Sequence, residues 1–142
     1  MGTKLARVAV VGATGYSGAE LVRLLARHPH VQLTVVTSEQ ASGRPLGDVH
    51  RTLGFLGLNL EAVDPEAIAG RCDFAFTALP HGASTPVVAA LVAKGVRVID
   101  VGADFRFHDL NVYDRWYGPH GEPALAAEAV YGLVEHARAA VA

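Results

Sequence analysis

Val8-Ala9-Val10-Val11-Gly12-Ala13-Thr14-Gly15-Tyr16-Ser17-Gly18 is a short apolar run that feeds a glycine turn, and a helical pattern follows it. Leu21, Val22, Leu24 and Leu25 gather on one side of that helix, while Glu20, Arg23 and Arg27 recur on the other. A buried strand, a tight turn and an amphipathic helix form the first crossover of an α/β protein. The turn opens a helix, where unpaired N–H groups and the positive end of the helix dipole favour an anion such as a diphosphate. The spacing is Gly-x-x-Gly-x-x-Gly rather than Gly-x-Gly-x-x-Gly, and the flanking strand and helix supply the context for dinucleotide binding. Gly12, Thr14, Gly15, Tyr16, Ser17 and Gly18 are therefore candidate cofactor contacts. Gly15 lets a ligand approach the main chain, and Gly18 lets the helix lie close to the sheet. A strand-to-helix turn that binds nothing is the alternative reading of the same residues.

Working outward, strands are expected near 6–11, 31–37, 72–78 and 96–101, with a weaker one near 57–62. Their alternation with helical stretches predicts a Rossmann-like α/β fold: a doubly wound, mostly parallel sheet in three layers, forming one NAD(P)-binding domain over 1–142. A chain of this length buries about two thirds of its unfolded surface. Thr85-Pro86 resembles a helix start, with Thr as cap and Pro in the first position, and Lys94-Gly95 resembles its stop. Residues 38–57 read as a loop, and 108–124 as a short helix with an irregular surface segment. Val134 to Ala142 is helical in pattern without a stop signal, which suggests a truncated chain.

Composition limits the partners. A formal charge of −2 with no Lys/Arg cluster argues against nucleic acid. No apolar run approaches the ~20 residues of a membrane span, and a strand beginning near residue 6 leaves no room for a secretion leader. Cys72 is the single cysteine, so a disulfide framework is excluded and a reduced, cytoplasmic setting is expected. The histidines lack the spacing of a metal site, so no metal is expected.

Several positions past the glycine turn carry chemistry. Thr37-Ser38-Glu39 ends the second strand, where ribose selectivity is decided, and Arg44 follows. Ser38 and Arg44 suit the 2′-phosphate of NADP, which Glu39 would repel if it pointed inward; Arg44 as a solvated loop charge is the alternative. Leu79-Pro80-His81-Gly82 lies at the carboxyl edge of a buried strand, where ligands of open sheets gather, and is a second candidate cofactor loop. His81 there is either a cofactor contact or structural. Arg106, near Asp100 and Asp104, either grips a substrate carboxylate or phosphate or forms an ion pair within its loop. Cys72 opens a strand at the edge opposite the glycine turn, which argues against a nucleophile.

Four motifs in order, Gly12-Ala13-Thr14-Gly15-Tyr16-Ser17-Gly18, Ala78-Leu79-Pro80-His81-Gly82-Ala83-Ser84, Asp100-Val101-Gly102-Ala103-Asp104-Phe105-Arg106 and Ala129-Val130-Tyr131-Gly132-Leu133, together resemble the N-acetyl-gamma-glutamyl-phosphate reductases. The resemblance covers nearly the whole chain. It implies an NADPH-dependent enzyme of arginine biosynthesis that reduces an acyl phosphate to a semialdehyde through a cysteine thioester, with a histidine assisting proton transfer. The cysteine of that family lies downstream of the segment matching Tyr131-Gly132-Leu133, in a second domain that binds substrate and forms the homo-oligomer. The resemblance thus implies that this chain holds the cofactor site and lacks the catalytic residues. The aminoadipyl-phosphate reductases of lysine biosynthesis and aspartate-semialdehyde dehydrogenase share the architecture and stay open as alternatives, as does a non-catalytic dinucleotide-sensing module. Three positions depart from the family pattern: Val134 in place of proline, Val101-Gly102 in place of Leu-Ser, and Glu39 where a basic residue often stands.

Overall fold

A computed structural model describes residues 5–141. Its elements are β1 (Ala6–Val11), α1 (Tyr16–Leu25), β2 (Val31–Thr37), α2 (Leu46–Val49), a 3-10 turn (Arg51–Leu56), α3 (Pro65–Ala69), β3 (Phe74–Thr77), α4 (Ser84–Ala93), β4 (Arg97–Asp100), α5 (Leu110–Tyr117), α6 (Pro123–Glu128) and α7 (Val134–Val141). The strands form one all-parallel sheet in the order β2-β1-β3-β4.

The apolar run of β1 is buried on both faces because alternate side chains enter different cores. Ala9 and Val11 join Val35, Ala75, Ile68 of α3 and Leu91 of α4, whereas Val10 joins Val36, Val22 of α1, Leu46, Leu53 and Leu60. Two cores on opposite faces of one sheet make the three layers expected from the sequence. The chain leaves β1 for β2 on one side, then returns to place β3 and β4 on the other. The carboxyl ends of β1 and β3 therefore diverge at a topological switch point, where open α/β sheets bind their ligands. Val11 pairs with Thr77 and Thr77 with Asp100, so the loops after three strands meet at that edge.

The weaker strand expected near 57–62 does not form. Its backbone makes only isolated bridges, Thr37 to Glu61 and Pro45 to Asn59. The second pairing, made by Leu46 N–H to Leu58 O and Leu60 N–H to Arg44 O, ends where the chain turns into α2 at Leu46. The stretch 38–57 is not simply a loop: it contains α2 and the 3-10 turn, pinned by the buried Leu46 and Leu53. Gly47 and Gly54 bring the two pieces together, since a Cβ on Gly47 would lie 2.8 Å from Gly54 Cα. Both pieces are too short to show periodicity.

The start of α4 also differs from expectation. It begins at Ser84, after Ala83, so Thr85 is not its cap and Pro86 is its third residue. The Ser84 and Thr85 hydroxyls instead donate to Asp104, a partner 20 and 19 residues away that no local pattern reveals. The Lys94-Gly95 stop is present, with Gly95 at φ +79°. Strands β3 and β4 are shorter than 72–78 and 96–101.

Candidate functional site

The glycine turn sits at the switch point with a separate geometric reason at each glycine. Gly12 has φ +89°, and a Cβ there would lie 2.6 Å from the Ala78 carbonyl oxygen, so the turn passes hard against the end of β3. A Cβ on Gly18 would lie 2.0 Å from the Gly12 carbonyl oxygen, which leaves only glycine able to seat α1 this close. Gly15 is the opposite case: it is exposed, and its Cβ position has no heavy atom within 4 Å. The N–H groups of Gly15, Tyr16 and Ser17 have no partner among the described residues. Open space beside unpaired donors at a helix start fits a diphosphate. The turn is braced from behind by Thr37, whose hydroxyl accepts from Gly12 N–H at 3.2 Å and whose carbonyl accepts from Ala13 N–H at 2.8 Å.

The residues after β2 divide by orientation. Ser38 is buried, with its Oγ 3.0 Å from Thr14 Oγ1 and accepting from Ala41 N–H at 3.3 Å. Ser38 thus ties the glycine turn to β2, with its hydroxyl already engaged. Glu39 accepts from Val63 N–H at 2.8 Å, which anchors its carboxylate to the chain ahead of α3. Arg44 is exposed and has no side-chain partner among the described residues. His50, at the junction of α2 and the 3-10 turn, reaches the Thr14 carbonyl oxygen at 3.0 Å. Sequence reasoning gave His50 no role, because its partner is 36 residues earlier.

The second candidate loop lies beside the first, with Leu79 Cδ2 only 3.1 Å from the Cβ position of Gly12. Pro80, His81 and Gly82 are exposed, and the His81 ring lies 4.9 Å from that of Tyr117. Beneath the loop Asp104 is fully buried. Its carboxylate accepts from Gly82 N–H, Ser84 Oγ, Thr85 Oγ1 and Tyr113 OH, all within 3.1 Å. Burial pushes the Asp104 carboxyl up, but the four donors outweigh that and hold it below its ordinary value. Burial, then the bond to Asp104, raises the Tyr113 hydroxyl to about 12, so it remains a donor. His120 Nε2 donates to the Asp104 carbonyl oxygen at 2.7 Å, while its Nδ1 accepts from Glu122 N–H at 3.0 Å, which fixes the ring's orientation. Asp104 is thus a keystone joining the loop, α4 and α5.

Arg106 does not form the ion pair with Asp100 or Asp104 that its spacing suggested. Asp104 faces α4, and Asp100 Oδ1 accepts from Thr77 Oγ1 at 2.6 Å. Arg106 instead donates to the Gly102 and Val101 carbonyl oxygens, each at 2.8 Å, with its guanidinium carbon 6.0 Å from the Tyr131 ring centre. It stays exposed along a cleft of about 780 Å³ beside β4, lined also by Asp100, Phe105 and Tyr131. Cys72 is buried before β3, at the far edge of the sheet, and burial pushes its thiol up, away from the thiolate a nucleophile needs. Among the described residues no cluster of His, Cys, Asp or Glu suits a metal ion, and no helix is long and apolar enough to cross a membrane.

Comparison with known proteins agrees with this geometry. Residues 7–142 match the family model "Semialdehyde dehydrogenase, NAD binding domain". The N-acetyl-gamma-glutamyl-phosphate reductase of Citrifermentans bemidjiense is 49% identical over 137 residues, which are 96% of this chain and 40% of that one. The reductase of the same name from Geobacter sulfurreducens is 49% identical over 136 residues, 95% and 39% of the two chains. The chain therefore spans about 40% of the length of these relatives. Among solved structures, aspartate semialdehyde dehydrogenase with NADP from Candida albicans superposes with a TM-score of 0.64 at 21% identity, over 72% of this chain and 31% of that one, which shows a shared fold. The glycine turn at the switch point, the parallel sheet and the match across nearly every residue lead to one conclusion: the chain belongs to the semialdehyde dehydrogenase family, as its NAD-binding domain.

Proposed function

We propose that this chain is the NADP(H)-binding part of an N-acetyl-gamma-glutamyl-phosphate reductase, an enzyme that reduces an acyl phosphate to a semialdehyde. The observation that carries the reading is the glycine turn, where the exposed Gly15 and three unpaired N–H groups open at the switch point of the sheet. Its support in sequence is the 49% identity to reductases of that name. The donors of Gly15, Tyr16 and Ser17 hold the diphosphate, and the Leu79–Gly82 loop, buttressed by Asp104, borders the reactive end. When bound, the dihydronicotinamide supplies the hydride for the reduction. NADP is favoured over NAD by two features: Arg44 is exposed and unpaired among the described residues, and Glu39 is tied to Val63. Arg106, along the 780 Å³ cleft, is the candidate for the substrate's anionic group. The acyl-phosphate substrate, a cytoplasmic setting and a homo-oligomeric assembly belong to the same proposal for the whole protein. With Cys72 buried and remote, this chain alone binds cofactor without turnover.

Isothermal titration of the 142-residue chain with NADPH and NADH tests the reading. Binding that is tighter for NADPH, and abolished by Gly15→Val with the fold intact, supports it. No heat at millimolar ligand refutes it.

A further inference from the structure

The peptide between Thr14 and Gly15 is held on one side by His50. A carbonyl oxygen only accepts, so His50 Nε2 donates across the 3.0 Å to Thr14 O. In a trans peptide the carbonyl oxygen and the following N–H point in opposite directions. Fixing Thr14 O toward His50 therefore turns Gly15 N–H away from it, and that N–H has no partner among the described residues. The imidazole itself is carried by a stiff support. His50 N–H donates to Leu46 O and Leu53 N–H to His50 O, both at 2.9 Å, while Leu46 and Leu53 are buried in the core that also holds Ala13 and Val22.

We infer that His50 is a positioning residue for dinucleotide binding, which acts through the Thr14–Gly15 peptide to aim the Gly15 N–H at the diphosphate. This inference rests on the dinucleotide reading of the glycine turn. Without the imidazole donor the peptide loses the bond to its carbonyl oxygen, and the N–H is less firmly preorganised in its binding orientation. The effect is centred on the diphosphate, because Arg44, at the adenosine end, is held by a separate backbone bond, its N–H donating to Ala41 O.

The test uses two probes on the whole chain: NADPH, which carries the diphosphate, and 2′-AMP, which lacks it, the second followed by chemical-shift titration to reach millimolar binding. His50→Ala is expected to weaken NADPH roughly three- to tenfold, the worth of one hydrogen bond, while leaving 2′-AMP within about twofold, a loss below that of one hydrogen bond. His50→Gln keeps an N–H donor at similar reach and is expected to restore NADPH binding. Unchanged NADPH affinity in His50→Ala overturns the inference, as does an equal loss for both probes or failure of the Gln variant to restore binding. Absence of NADPH binding by the unsubstituted chain is a separate result that removes the dinucleotide reading and this inference with it.

Discussion

Replacing Gly18 by alanine tests the packing that makes the glycine turn possible. The added methyl carbon would stand 2.0 Å from the Gly12 carbonyl oxygen and 2.9 Å from Ala13 Cα, the first of these a full ångström inside the 3.0 Å floor that real Cβ atoms respect. Both neighbours are backbone, so no side chain can swing aside. Either α1 lifts from the sheet, which loosens the fully buried Val22, or the turn moves, which disturbs the Gly12 N–H bond to Thr37. Overpacking of this kind costs about 1–3 kcal/mol, and the rigid neighbours put Gly18→Ala at the upper end. A loss of about 3 kcal/mol lowers Tm by roughly 6–12 °C in a chain of this size. Gly15→Ala is the internal control. Its Cβ meets nothing within 4 Å and its φ of −73° is open to any residue, so the cost is that of a poorer helix cap, below about 1 kcal/mol. Urea unfolding followed by circular dichroism reads both variants. A loss under about 0.5 kcal/mol for Gly18→Ala, within the range of an ordinary surface change, would refute the close-packing argument.

Asp104→Asn is expected to flatten the acid limb of the stability profile. The folded carboxyl titrates below its ordinary 3.8, so it stabilises the fold above that pH, and the contribution is lost as pH falls through the folded value. Thermal melts from pH 7 down to pH 2 check this, and an unaltered slope would remove Asp104 as the keystone. Arg44→Ala is expected to weaken NADPH more than NADH by about 1–2 kcal/mol, the scale of a charged hydrogen bond. Titration calorimetry measures the difference, and equal losses would show that Arg44 does not meet the 2′-phosphate.

Much of this protein could be read locally. The run Val8–Val11 specifies a strand buried on both faces because its apolar side chains alternate into two cores, and the glycine spacing after it specifies the turn. The alternation of strands and helices set the layer order, since parallel strands need a covering crossover. What stayed hidden depends on contacts between residues distant in sequence. The sequence showed Ser38 as a hydroxyl after β2 but not that Thr14 and Ala41 bind it; it offered Arg106 an acidic partner, yet the carbonyls of its own loop take that role. Asp104 became a buried keystone and His50 a support for the glycine turn only when segments 20 and 36 residues apart were folded together. Periodicity and turn chemistry act within a few residues, so one sequence determines its elements and their order. The orientation of a polar side chain is decided by which donor the tertiary fold brings within 3 Å, and burial makes that donor obligatory.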